Sequence, residues 1–298
     1  MRILIIGAAG LLGRALVEEG RSREVIAATS SDADIRDAGE LRALFARTRP
    51  DCTVLAAAYS DVDGCERDPE QAHQVNCAGA ANVARAAFET GSRLLYVSTD
   101  YVFDGAKTTP YETTDIPRPI SSYGRSKAAG EAAVREILPE GCIVRTSRLF
   151  GTAGKCFPGT ILRLAESQEE LAVVDDQVGS PTFNRDLAGA ILQLAESGAR
   201  GVIHATNAGT CSWFDFAREI LRAAGLENLR VRAISTEESG RPALRPRYSA
   251  LSDASLRACG LSMRPWREAL SAYLIERARE MREGATVQSR GVAAGRPR

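Results

Sequence analysis

The chain has 298 residues, 44% hydrophobic and 26% charged, and its 38 basic side chains balance its 38 acidic ones. That composition describes a globular protein with a sizeable core, without the basic field that nucleic acid or a membrane surface would call for. Seven scattered cysteines with no CxxC pair and two distant histidines argue against a disulfide framework or a metal centre, so no metal ligands are assigned.

"RILIIG" is a short β-branched run ending in glycine, the pattern of a buried strand and too short for a signal-peptide core. No apolar stretch approaches the roughly 18 residues of a membrane span, and the expected location is cytoplasmic. "LLGRALVEEG" follows as a helix with Gly20 at its C-cap, then "EVIAAT" as a strand, "AGELRALFART" as a helix and "DCTVLAAA" as a strand. "EQAHQVNCAGAANVARAAFETG" predicts one long amphipathic helix closed by Gly91. "RLLYVST" is a fourth strand, "SSYGRSKAAGE" opens another helix, and "CIVRTS" is a fifth strand. The alternation specifies right-handed βαβ units on a parallel sheet, an α/β, doubly wound, Rossmann-type fold.

Past residue 150 the rhythm loosens. "PGTILRLAESQ", "RDLAGAILQLAESG" and "SWFDFAREILRAAG" read as helices, "GVIHAT" as a buried strand, and the Arg- and Pro-rich segment 235–247 as an ordered loop. The expected organisation is a dinucleotide-binding domain over 1–150, to whose sheet the chain returns around 183–206. A smaller C-terminal substrate lobe covers 151–280, and a disordered tail covers 281–298.

Gly7, Gly10 and Gly13 form GxxGxxG between the first strand and first helix. Glycines there permit a tight turn, and the helix N-terminus offers N–H groups to a diphosphate. Where the second strand ends and a ribose-binding acid is expected, the chain has Thr29 and Ser30, with Asp34 further on. Hydroxyl side chains can receive a 2′-phosphate, so both NADPH and NADH are admissible and NADPH is preferred; Arg36 is a distant phosphate partner.

Ser98, Thr99 and Asp100 end the fourth strand, and in an open parallel sheet ligands bind beyond the carboxyl ends of the strands. Tyr123 and Lys127 stand four residues apart, on one helix face, where an ammonium lowers the pKa of a phenol. Such a tyrosine can donate a proton to a carbonyl being reduced, with Thr99 on the developing alkoxide. Asn76 reads as a helix brace and Trp213 and Trp266 as core anchors. Arg241, Arg245 and Arg247 either meet a diphosphate or are solvated.

With "AAAYSDVDGCE", "VSTDYVFDG", "SSYGRSKAAGE", "RTSRLFG", "VVDDQVGSPT" and "RPWREAL" in order, nearly the whole chain resembles the extended short-chain dehydrogenase/reductases, and within them the dTDP-4-dehydrorhamnose reductase family. The resemblance implies reduction of a 4-keto dTDP-sugar by NAD(P)H, with Thr99, Tyr123 and Lys127 catalytic. It implies that Gly7, Gly10, Leu11, Leu12 and Gly13 line the diphosphate, that Asp34 and Ile35 lie near the adenosine, and that Ala56, Ala57, Ala58 and Tyr59 flank the cofactor. Ser180 to Thr182 would close the nicotinamide side. Where the family usually has a tryptophan after "RTS", this chain has Arg148, placed with Ser98, Thr99 and Asp100 at the substrate. Some members bridge a dimer through Mg²⁺; those acidic positions find no match here, so Mg²⁺ is left open, as is monomer against homodimer. Alternatives are another sugar-nucleotide epimerase or reductase, or a non-catalytic NADP-binding subunit resembling the methionine adenosyltransferase β subunit.

Overall fold

The computed structural model describes residues 1–152 and 154–293, with side chains described to Arg282 in the last helix. In chain order the elements are β1 (Arg2–Ile6), α1 (Leu11–Glu19), β2 (Glu24–Ala28), α2 (Ala38–Thr48), β3 (Cys52–Leu55), α3 (Val62–Arg67) and α4 (Pro69–His73). A π-helical turn, Gln74–Gly79, leads into α5 (Ala80–Thr90), β4 (Arg93–Thr99), α6 (Ser122–Ile137) and β5 (Cys142–Thr146). Then come β6 (Leu149–Phe150), α7 (Phe157–Ala165), β7 (Glu170–Val174), β8 (Val178–Gly179), β9 (Thr182–Phe183), α8 (Asn184–Ser197) and β10 (Gly201–His204). The chain ends with β11 (Cys211–Ser212), α9 (Trp213–Ala223), β12 (Arg230–Ile234), α10 (Ala254–Ala258) and α11 (Trp266–Ala293).

Six strands form a parallel sheet in the order β10-β5-β4-β3-β1-β2. β1, β3 and β5 are apolar runs with almost every residue buried, as strands covered on both faces must be. One face packs Leu12, Leu16, Leu187 and Ile191 of α1 and α8; the other packs Leu41, Phe45, Val83 and Val134 of α2, α5 and α6. Strand order reverses between β1 and β3, and a crevice opens there beyond the strand ends. A third cluster, with Phe150, Phe183, Phe216, Trp266 and Tyr273 in mutual ring contact, forms the core of the later elements.

Two expectations are corrected, and one strand pairing is new. The long helix expected over 70–91 is broken into α4, the π-helical turn and α5, although Gly91 does end it in a left-handed conformation. β7 and β12 pair as a small parallel sheet that carried no signal strong enough to predict. The tail expected from residue 281 is instead helical as far as Ala293, because α11 carries straight on; 294–298 lie outside the described residues.

α1, α8 and α11 are tied by charge. The Arg185 guanidinium on α8 meets Glu18 at 3.0 Å and Glu19 at 2.7 Å on α1, and Glu276 at 3.0 Å on α11. Among the described residues no group of His, Cys, Asp and Glu side chains is arranged to hold a metal ion.

Candidate active site

A cleft of about 730 Å³ lies over the β1/β3 crevice, within the range of small-molecule sites. Its floor is built by the glycine loop. Gly7 has φ 92°, and a Cβ there would lie 2.5 Å from the Ala57 nitrogen, so only glycine lets the loop pass against the end of β3. A Cβ on Gly13 would lie 2.0 Å from the Gly7 oxygen; this glycine seats α1 on the loop and does not line the cleft. Gly10 is the N-cap of α1 and makes no side-chain cap, and the first turn carries no acid, so the positive helix end faces the cleft with free N–H groups. Leu11, Leu12 and Lys155 stand beside it. A cradle that any Cβ would fill, over an uncapped helix end, fits the diphosphate of a dinucleotide.

Thr29, Ser30, Asp34 and Ile35 line one end of the same cleft, and Ala56, Ala57 and Ala58 follow from β3. Thr29 donates both its N–H and its hydroxyl to Asp32, each at 2.9 Å. Arg36 reaches the cleft as well, but Asp34 takes its guanidinium with bonds of 2.5 to 3.0 Å, holding the Asp34 carboxyl below the usual carboxylate range. Tyr59 does not line the cleft: Asn76 Oδ1 accepts from its N–H and Asn76 Nδ2 donates to its carbonyl, at 2.8 and 2.9 Å. Asn76, on the π-helical turn, also donates to Ser126 on α6 at 3.0 Å. It therefore joins the β3 loop to the helix carrying Tyr123, a larger role than the brace of one helix.

Ser121 caps α6 by accepting from the Gly124 N–H at 3.1 Å, which starts the helix so that Tyr123 and Lys127 face the cleft with Thr99. Tyr123 packs edge-on to Tyr101 with ring centroids 5.7 Å apart. The expected lowering of the phenol by Lys127 is not found. Burial raises the Tyr123 pKa far above its ordinary value, against a lowering hydrogen bond to Thr99. The Lys127 ammonium instead donates to the Val97 carbonyl at 2.8 Å and sits 4.0 Å from the Tyr96 ring centroid. Burial pushes Lys127 down to about 7, opposed by the charge of Glu131.

Ser98 lines the cleft, but Asp100 does not. Its carboxylate is buried behind the strand end, where Ser249, Ser147 and Thr99 donate to it at 2.5, 2.8 and 3.1 Å. Burial nevertheless raises its pKa. Arg148 reaches the cleft, yet its left-handed backbone (φ 45°) sends the guanidinium toward the later elements. There it donates to the carbonyls of Gln177 and Cys211 at 2.7 and 2.8 Å and lies 4.1 Å from the Trp213 ring centroid. Trp266 is buried in the core, as a core anchor should be. Arg241 and Arg245 both pair with Asp63, at 3.1 and 2.9 Å, clasping the 235–247 loop to α3.

Two features lie outside the sequence reading. Thr146, register partner of Thr99, carries a buried hydroxyl in the cleft wall with no hydrogen-bond partner, so it is free for a ligand. Beneath Lys127, Glu131 receives Arg145 and Ser98 in a fully buried cluster. Only the four-residue spacing of Lys127 and Glu131 could have suggested it.

The family described as the RmlD substrate binding domain matches residues 1–279. The chain is 43% identical over 282 residues to the dTDP-4-dehydrorhamnose reductase of Mycobacterium tuberculosis, covering 92% of each protein. It is 42% identical over 274 residues to the dTDP-4-keto-6-deoxy-D-glucose reductase of Streptomyces niveus, covering 91% of this chain and 95% of that protein. A solved structure of dTDP-4-dehydrorhamnose reductase from Bacillus anthracis in complex with NADP superposes with a TM-score of 0.89 at 40% identity, over 92% of this chain and 99% of that one.

Proposed function

Since the chain belongs to the family of the RmlD substrate binding domain, we propose that it reduces the 4-keto group of a deoxysugar nucleotide with NAD(P)H, converting dTDP-4-dehydro-L-rhamnose to dTDP-L-rhamnose. The observation that carries this reading is the joint placement of Thr99, Tyr123 and Lys127 in the cleft whose other end is the glycine loop and the bare N-terminus of α1. Gly7, Gly10, Leu11 and Leu12 hold the diphosphate with Lys155, and Gly13 supports them. Thr29, Ser30, Asp34 and Ile35 hold the adenosine end. NADP in the Bacillus anthracis relative favours NADPH over NADH.

Bound NAD(P)H supplies the hydride to the carbonyl carbon. Tyr123 gives its phenolic proton to the carbonyl oxygen, and its raised pKa keeps that proton on the phenol at neutral pH until charge develops on the oxygen. Thr146 offers its unpartnered hydroxyl to that oxygen or its neighbours, Thr99 does so by turning its one proton away from Asp100, and Lys127 balances the phenolate left behind. The elements of 151–280, apart from α8 and β10 that return to the first sheet, form the substrate lobe, with Arg148 bracing its inner wall instead of touching the sugar. Among the described residues no helix is long and apolar enough to cross a membrane. The chain acts as a monomer or homodimer in the cytoplasm on this reading.

The decisive assay generates the keto sugar from dTDP-glucose with a dehydratase and an epimerase, then follows NADPH and NADH absorbance on adding the protein. Oxidation only when the epimerase is present supports the rhamnose reading. Oxidation without it makes the chain a reductase of the unepimerised sugar, the activity named for the Streptomyces niveus relative. No oxidation with either cofactor overturns the enzymatic reading and leaves a binding subunit.

A further inference from the structure

Glu131 stands one helical turn beyond Lys127, so both occupy the face of α6 that packs on β4. Ser98 on β4 and Arg145 on β5 are register partners whose side chains leave the sheet on the same side. Both end on Glu131. Oε1 accepts from Ser98 at 2.6 Å and from Arg145 Nε at 2.8 Å, and Oε2 accepts from Arg145 Nη2 at 2.6 Å. None of Ser98, Lys127, Glu131 and Arg145 is more than 3% exposed.

Arg145 is held from behind as well. His204 Nδ1 lies 3.1 Å from the Tyr111 carbonyl, which can only accept, so the proton is on Nδ1 and Nε2 presents its lone pair to Arg145 Nη1 at 3.4 Å. Burial and the Arg145 charge push His204 down to about 3, which keeps it neutral. The fork of Arg145 therefore fixes the Glu131 carboxylate, whose charge acts on Lys127 one helical turn away.

The remaining ionisable groups around Lys127 do not duplicate Glu131. Tyr96 on β4, Tyr123 on α6, Cys77 on the π-helical turn and Cys65 on α3 all have raised pKa values and are neutral at pH 7. Asp100 acts on Tyr123 and is held by serine and threonine hydroxyls. Glu66 is at the outer end of α6, bonded to the Ser122 N–H and paired with Arg125.

We propose that Glu131, clamped by Arg145 and Ser98, is a positioning residue that acts through Lys127, keeping its ammonium charged one turn from Tyr123. The proposal rests on the reading of Tyr123 and Lys127 as the proton-transfer pair and names what keeps that pair poised. A buried lysine without a counter-charge gives up its proton, and Arg145 alone beneath it would repel a second cation. Glu131 offsets both effects. Because Arg145 occupies both of its oxygens, Glu131 remains fixed while Lys127 keeps a donor for ligands in the cleft.

Lys107, Lys127 and Lys155 are the only lysines in the chain, so the full-length protein labelled with ¹³C at lysine Cε gives a spectrum in which Lys127 can be titrated directly. In the native protein Lys127 should titrate near 7. Glu131→Gln should lower that midpoint by about one pH unit or more. Glu131→Asp keeps Arg145 paired but draws the carboxylate back by a methylene, and should lower it by a few tenths of a unit. That variant decides the matter if Glu131→Gln does not fold. The high-pH limb of kcat/KM should move down with the midpoint, because the working form is the protonated one. Unchanged midpoints in the folded variants overturn the proposal, as does a midpoint that rises. Failure of the reductase reading shows separately, as no NADPH oxidation whatever the Lys127 midpoint.

Discussion

Two carboxylates are buried within electrostatic reach of the tyrosine and lysine, and they are held by different chemistry. Glu131 faces a guanidinium fork that matches its two oxygens. Asp100 faces hydroxyl groups from Ser147, Ser249 and Thr99. Hydroxyl dipoles replace only part of the water a carboxylate gives up, so burial dominates at Asp100 and raises its pKa. A paired cation supplies a full opposite charge. The site thus keeps a fixed ion pair beside Lys127 and a hydroxyl-caged carboxylate beyond Tyr123, which sets permanent charge at one end of the Tyr123–Lys127 pair and polarity at the other.

The comparison can be broken at four points. Replacement of the group between the two carboxylates, Tyr123→Phe, should lower NADPH-dependent reduction by about 10²- to 10⁴-fold. Cofactor affinity, read by NADPH fluorescence, should stay nearly unchanged; retained turnover would remove Tyr123 as the donor. Arg145→Met leaves Glu131 buried without its cation and should cost about 3–5 kcal/mol in urea unfolding. A loss near zero would mean that the ion pair is no more demanding than the hydroxyl cage. Ser147→Ala takes one donor from Asp100 and should cost about 1–3 kcal/mol by the same measurement.

The smallest effect is one of pH. Asp100 holds its proton more tightly folded than unfolded, so the native protein loses stability from this group as pH rises through that interval. Asp100→Asn has no such interval. Its unfolding free energy, relative to that of the native protein, should rise as pH increases above the ordinary carboxylate range and level off once Asp100 is ionised in the folded protein. A difference that falls with pH would show that the hydroxyl cage stabilises the charged form after all.

The strands and helices of the first half were legible because buried parallel strands are continuous apolar runs, and "RILII" and "RLLYVST" have that form. The break at Gln74–Gly79 was not. Its amphipathic pattern runs on without proline, and the turn is fixed from outside by Asn76 bonding Tyr59 and Ser126 and by Gly79 lying against Ile35. The glycine loop and the Tyr123–Lys127 pair were readable because their geometry follows from spacing within one element. Glu131 and Arg145 meet across α6 and β5, and such a meeting depends on sheet register, which no local pattern encodes. The expectation that Arg148 meets the substrate rests on the tryptophan that the resembling family has at this position. Its left-handed backbone, which turns the guanidinium onto Gln177, Cys211 and Trp213, is set by its neighbours.

The order of the sheet also limits how the molecule can be taken apart. β10 closes the sheet beside β5, and α8, which precedes it, packs against α1. A shortened protein ending at residue 150 would expose β5 as an open edge, ready to pair with other chains, and uncover the apolar face of α1. Exchange of the elements after residue 150 between relatives therefore calls for two grafts, one before Asn184 and one after His204, with α8 and β10 kept as native sequence between them.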